Sequence, residues 1–298
     1  MSSLEELVEK VKARGAKRVL VQLPEGLITR SRELEEKLSG EGIQSYVSLD
    51  PCYGACDLRD CEAKRLECDL LVHVGHSDFG VKSSVPVLYY EWFFDWDPVR
   101  ILEKNLEKLP EKMGLVSSVN YLDSLAIVRE HLENRGKTCF LAGQILGCDV
   151  SEALKIEKMV DCYLYVGSGA FHPLGLALKT KKPVFSLNPD KQILGKVDPD
   201  LFLRQREAAK ALAGDCSSFG ILVSTKPGQI QTEKILNVKK KLESEGKKAF
   251  IFAMDCITPE KLLGLNLDCY INCACPRIAI ENRTSFQKPI LNPDEITF

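Results

Sequence analysis

Residues 17–26 read KRVLVQLPEG, and the same element returns as MGLVSSVNY (113–121) and FGILVSTKPG (219–228). Each is a short apolar run closed by polar and turn-forming residues. Each opens a segment of about 100 residues built in one order. A helix ends at Gly42, Gly136 or Gly246 and leads into a second strand, GIQSYVSLD, GKTCFLAGQ or GKKAFIFAM. A third strand opens at an aspartate: DLLVHVGHS from Asp69, DCYLYVGSG from Asp161 and DCYINCACP from Asp268. VPVLYYE, KPVFSLNP and KPILNP form the fourth strands. Nearly continuous apolar runs separated by helical patterns indicate parallel strands buried on both faces. Right-handed crossovers between them give an α/β chain of three repeated Rossmann- or flavodoxin-like domains, each with a short parallel sheet. The expected domains are 1–108, 109–212 and 213–298, with linking helices through 97–109 and 200–213. The third repeat ends after its fourth strand. The N-terminal helix, with Ser3 and Glu6 in capping-box spacing, is expected to cover the position of the helix missing there.

The chain has 298 residues, net charge −2 and no Lys/Arg-rich run, so direct nucleic-acid binding is not expected. No apolar run approaches the ~18 residues of a membrane span, and Met1 opens an amphipathic segment rather than a signal peptide. The expected setting is the cytoplasm, where the twelve cysteines are thiols rather than disulfides. Some are small core residues, and a few are ligand candidates.

Ligands of parallel α/β domains collect outside the carboxyl ends of the strands, and the repeat register sorts the thiols by that rule. Cys139, Cys162, Cys269 and Cys273 fall inside strands and read as core, as does Cys68; Cys216 precedes a strand. Cys52, Cys56 and Cys61, in DPCYGACDLRDC (50–61), follow the second strand of repeat one. Cys148 and Cys256 follow the second strands of repeats two and three. Cys275 follows a third strand, aligned with His76 and Ser168. Every repeat therefore offers a thiol on the same edge, and domains facing a pseudo-threefold axis would bring one from each to a common centre. Three thiolates on a 4Fe–4S cluster leave one iron open to substrate. A structural zinc wants paired C-x2-C knuckles, and the chain has no C-x2-C. By register alone, Cys56 and Cys52 are equal candidates, as are Cys275 and Cys256.

YGACD (53–57), LAGQILGCD (141–149) and ACPRIAIEN (274–282) resemble the three cysteine motifs of the archaeal diphthamide synthase family. VQLPEGL (21–27), VGHSD (74–78), GSGAFHPLG (167–175) and STKPGQ (224–229) add to the resemblance, which runs in order from about residue 18 to 283. It implies a homodimer of three-domain α/β chains, with Cys56, Cys148 and Cys275 holding a central 4Fe–4S cluster and Cys52 and Cys61 as bystanders. It implies S-adenosylmethionine as co-substrate, cleaved between sulfur and the methionine γ-carbon with an electron donor. The 3-amino-3-carboxypropyl group then passes to carbon 2 of a histidine of translation elongation factor 2, with methylthioadenosine as co-product.

Further candidates for S-adenosylmethionine contact sit at strand ends. Gln22, Glu25 and Gly26 lie where a helix start offers backbone N–H groups to a carboxylate, and Glu25 suits an α-amino group. Gly167, Ser168, Gly169 and His172 form a loop that permits close backbone approach. His76, Lys226 and Gln229 complete the set. The aromatic run YYEWFFDW (89–96) reads as core or subunit interface. Two rival readings share these features: a quinolinate synthase-like cluster enzyme, and a non-catalytic iron–sulfur sensor.

Overall fold

In the computed structural model, which describes residues 2–281 and 285–297, each sequence repeat forms a sheet of its own. The first sheet has β1 (Arg18–Gln22), β2 (Gln44–Ser48), β3 (Leu70–Val74) and β4 (Val87–Tyr90) in the order β2-β1-β3-β4, all parallel. The second has β5 (Lys112–Ser117), β6 (Thr138–Gln144), β7 (Cys162–Val166) and β8 (Val184–Asn188) in the same order. An antiparallel edge strand, β9 (Ile193–Lys196), extends it. β10 (Ser218–Ser224), β11 (Lys248–Met254), β12 (Cys269–Asn272) and β13 (Ile290–Leu291) repeat the order in the third. The hairpin to β9 is a departure from the expected repeat. It turns through Pro189–Gln192, where Asn188 Oδ1 accepts the Lys191 N–H at 3.0 Å and Gln192 takes φ +54°. The chain divides into two compact units, residues 1–197 with the first two sheets and 198–298 with the third.

Each sheet is covered on both faces, as the unbroken apolar runs require. In β1, Val19 and Val21 face one core and Leu20 the other. In β5, Met113 and Leu115 oppose Val116; in β10, Phe219, Ile221 and Val223 oppose Leu222. The thiols read as core are buried: Cys68, Cys139, Cys162, Cys269 and Cys273. All twelve cysteines are thiols. Among the described residues, no helix is long and apolar enough to cross a membrane.

The recurring sequence signals have local causes. Gly42, Gly136 and Gly246 take φ of +73°, +79° and +72° just past a helix end, a conformation glycine adopts at little cost. The residue after each glycine donates its N–H back to the last helical turn, Ile43 to Leu38 O, Lys137 to Leu132 O and Lys247 to Leu242 O, closing the helix in a Schellman motif. The aspartate opening the third strand ties its neighbour's start. Asp69 Oδ2 accepts the Lys17 N–H at 2.9 Å, and Asp268 Oδ2 accepts Ser217 N–H at 3.1 Å, Ser218 N–H at 2.9 Å and the Ser218 hydroxyl at 2.8 Å.

One expectation is corrected. Instead of serving the third repeat, the N-terminal helix (Leu4–Ala13) packs on the first sheet, where Leu4, Leu7, Val8 and Val11 join the core of β1 and β3. Its start is capped as expected, with Ser3 Oγ accepting the Glu6 N–H. Helix Asp200–Gly214 packs on the third sheet through Ala213, and its Arg206 is anchored by the Ala279 and Ile290 carbonyls and by Glu295. Local amphipathicity exposes an apolar stripe but does not say which sheet it meets. In the aromatic run, Tyr90 and Trp92 belong to the first core, while Trp96 and Phe94 pack against Tyr121.

Candidate functional site

At the carboxyl edge of the first sheet, polar residues interrupt an apolar face. Gln22 ends β1 and His73 lies beside it in β3, both fully buried on the face that also holds Leu20 and Leu71. The Gln22 amide donates to the Asp57 carbonyl at 2.5 Å, which leaves Oε1 as the acceptor. That oxygen lies 3.3 Å from the Arg59 N–H donor and 3.0 Å from His73 Nδ1, which must therefore carry the ring proton. His73 Nε2 then accepts from His76 Nδ1 at 3.1 Å. Burial pushes the His73 pKa down to about 3, with the His76 ring adding to the shift, and burial pushes His76 to about 4. Both rings are neutral at pH 7. Cys52 is buried beside them, and one ligand atom from each of Cys52, His73 and His76 lies within 4.8 Å of the others.

Gln22 and Arg59 shape the turn that carries Cys56. Asp57 donates its N–H to the Gly54 carbonyl, and the buried Arg59 guanidinium reaches Glu62 at 3.1 Å and Asp57 at 3.9 Å. Cys56 is half-buried there, and Cys61 is exposed on the following helix, Asp60–Arg65. In the same compact unit, Cys148 leaves the end of β6 in a loop pressed onto helix Phe171–Ala177. A Cβ on Gly175 would fall 2.3 Å from the Gly147 carbonyl oxygen, and one on Gly147 would fall 2.4 Å from the Phe171 ring. Only glycine permits that approach. His172 Nδ1 accepts the Gly147 N–H at 2.9 Å, and Lys179 donates to the Cys148 carbonyl at 2.9 Å. The Cys148 thiol reaches solvent, yet neighbouring atoms strip enough hydration to raise its pKa, and charge repulsion from Cys56 raises it further. Thiols from two repeats are therefore electrostatic neighbours.

The third sheet carries its candidates on the corresponding edge. Cys275 follows β12 at the foot of helix Arg277–Glu281, in a turn held by Asn272. The Asn272 amide donates to the Cys275 carbonyl at 2.8 Å and to Asn292 Oδ1 at 2.9 Å, while its oxygen accepts the Ala274 N–H. Cys256, the register alternative, directs its S–H to Asp255 at 3.4 Å. Lys226 is buried 3.8 Å from Asp255, and Gln229 is buried nearby in a short 3-10 turn. Asn282, the last residue of ACPRIAIEN, lies outside the described residues.

The residues expected to contact S-adenosylmethionine sit in different surroundings. Gln22 and His172 hold the cysteine loops from within, whereas Glu25, Gly26 and Gly169 are exposed and Ser168 is half-buried. Gly167 is buried at φ +152°, where a Cβ would fall 2.7 Å from the Tyr165 hydroxyl. His76 meets His73 and Cys52. His73, Tyr165 and Asn272, which the sequence reading passed over, occupy one position, the fourth residue after the strand-opening aspartate. Each touches the residue three further on: His73 pairs with His76, the Tyr165 hydroxyl donates to Ser168 O, and Asn272 donates to Cys275 O. A polar residue at that place in a strand buried on both faces is the signal that could have found them.

Known proteins resemble this chain over nearly its whole length. A family model described as "Putative diphthamide synthesis protein" matches residues 23–298. The chain is 34% identical to the 2-(3-amino-3-carboxypropyl)histidine synthase of Pyrococcus horikoshii, over 98% of this chain and 88% of that one. It is 31% identical to the protein of the same name from Methanocaldococcus jannaschii, over 93% and 83% of the two chains. Among solved structures, Dph2 from Pyrococcus horikoshii with a 4Fe–4S cluster superposes with a TM-score of 0.90, covering 99% of this chain and 90% of that one at 34% identity.

Proposed function

Because this chain belongs to the archaeal diphthamide synthase family, whose members are 2-(3-amino-3-carboxypropyl)histidine synthases, we propose that it carries out the first step of diphthamide synthesis. It transfers the 3-amino-3-carboxypropyl group of S-adenosylmethionine to carbon 2 of a histidine in translation elongation factor 2. The bond from sulfonium sulfur to the γ-carbon breaks and methylthioadenosine departs. A carbon–carbon bond forms on the histidine ring, which loses its C2 hydrogen as a proton and gives back one electron, so the transfer is redox-neutral overall. A homodimer of three-repeat chains, divided near residues 108 and 212, is the proposed working form.

The observation that carries the reading is the electrostatic proximity of Cys56 and Cys148, a half-buried and an exposed thiol from different repeats, each on a loop held from below. That donor chemistry suits an iron–sulfur cluster, with Cys275 on the corresponding edge of the third sheet as the third ligand. When bound, the 4Fe–4S cluster supplies the reducing electron, delivered by an external donor, and an iron without a protein ligand. The chain's own residues hold and orient. Gln22 and Arg59 set the Cys56 turn, His172 and Gly175 set the Cys148 loop, and Asn272 with Asn292 set the Cys275 turn. Glu25 and Gly26, exposed where β1 gives way to a 3-10 helix, receive the amino and carboxylate groups of the methionine moiety. Further proposed contacts on the other two repeats are the Gly167–Gly169 loop and the Lys226–Gln229 segment.

Anaerobically reconstituted protein with dithionite, S-adenosylmethionine and elongation factor 2 tests this. Methylthioadenosine should accumulate with one aminocarboxypropyl group added per factor. A dominant yield of 5′-deoxyadenosine would reject the proposed bond cleavage.

A further inference from the structure

Cys52 and His73 have no part in the cluster reading, and their ligand atoms lie with that of His76, an expected S-adenosylmethionine contact, within 4.8 Å of one another. We propose that this trio is a second metal site, distinct from the cluster cysteines, which binds a zinc-type divalent cation through Cys52 Sγ, His73 Nε2 and His76 Nδ1.

The donor set argues for that class of ion. One thiolate and two imidazoles suit a borderline-soft metal, and three protein ligands leave a fourth position for water or a ligand. Tetrahedral zinc places such atoms about 3.3–3.8 Å apart, so the trio closes on an ion by small side-chain adjustments. A metal-bound imidazole usually donates its second N–H to a fixed acceptor, which sets ring and tautomer. Gln22 does this for His73 before any metal arrives: Oε1 accepts from Nδ1 at 3.0 Å and leaves the Nε2 lone pair aimed at His76. The Gln22 amide is itself fixed by Asp57 and Arg59. Tyr89 packs edge-on against His73 at 5.6 Å, so the ring has little freedom. Cys52 and His73 are buried, while His76 is half-buried and gives the ion an entry path.

Protons balance simply. The metal takes the Nδ1 lone pair of His76, and the proton that Nδ1 shared with His73 Nε2 moves to His76 Nε2, so the ring stays neutral. Cys52 loses its thiol proton on forming the metal–sulfur bond. One proton should therefore leave per metal bound.

The probe is Co2+ added anaerobically to a chain carrying Cys56→Ser, Cys148→Ser and Cys275→Ser, with folding checked by circular dichroism. The expected result is one cobalt per chain, a thiolate-to-cobalt charge-transfer band, the visible bands of a four-coordinate ion, and one proton released. Adding Cys52→Ser should abolish the charge-transfer band. His73→Gln or His76→Gln should weaken binding tenfold or more, and Gln22→Ala, which frees the supporting hydrogen bond, by about tenfold. A band that survives Cys52→Ser, or a folded triple variant that binds no cobalt, overturns the proposal. If the triple variant does not fold, zinc bound to the cluster-loaded wild-type chain decides. Its X-ray absorption should show one sulfur and two imidazole nitrogens, and a sulfur-rich shell or zinc lost on desalting overturns the site.

Discussion

Gln22 ends β1 with no exposure to solvent, and its one amide serves the Asp57 carbonyl, the Arg59 N–H and His73. Truncation strands these buried groups, at about 1–3 kcal/mol for each unsatisfied one. Gln22→Ala should therefore lower both the thermal midpoint and the iron retained after reconstitution. A variant with full iron but a raised KM for S-adenosylmethionine would instead make Gln22 a substrate contact. Gly175 offers a second test of loop positioning. Alanine is ordinarily the better helix residue by about 1 kcal/mol, but here its Cβ would strike the Gly147 backbone. Gly175→Ala should shift the Cys148 loop and reduce iron content, while the rest of the fold keeps its circular dichroism.

At the scale of elements, the strand-opening aspartate ties two parallel strands together at their starts. The Ser218 hydroxyl and the Ser218 and Ser217 N–H groups hold the Asp268 carboxyl below the usual carboxylate range. A depressed folded pKa means that the unfolded chain binds the proton first. Its contribution is thus complete above the unfolded value of about 4 and is lost as pH falls through the folded value. Asp268→Asn should destabilise the protein at pH 7 and flatten the acid limb of its stability curve below pH ~4. Denaturant melts of both chains from pH 7 to pH 2 measure this, and parallel curves would contradict it. The glycines that end the helices carry a separate cost. Gly246→Ala forces a side chain to φ +72° and should cost about 1 kcal/mol in urea unfolding.

Across the whole molecule, twelve thiols divide by their surroundings. Burial pushes Cys162 up to about 12 and raises Cys269 as well, so neither forms a thiolate at neutral pH. Replacing Cys56, Cys148 or Cys275 singly by alanine should remove most of the cluster iron, whereas Cys162→Ala or Cys269→Ala should retain it. Iron and sulfide assays on the five reconstituted variants read this directly, and equal losses would refute the assignment.

The repeat was legible in the sequence because its markers act locally. A glycine past a helix, an aspartate before a strand and an unbroken apolar run each answer a need of the few residues around them. For the same reason Cys139, Cys162 and Cys269 were legible as buried thiols from their place inside strands, whereas Cys273, expected inside one, falls just past the end of β12. Three things were decided only by tertiary structure. The N-terminal helix joined the first sheet, because an apolar stripe carries no address. Gln22 and His172 turned inward to hold loops, because the partners that satisfy a buried polar group lie 25–51 residues away in the chain. Cys52 met His73 and His76 because the C-terminal edge of a parallel sheet gathers loops from distant segments, a proximity with no counterpart along the chain.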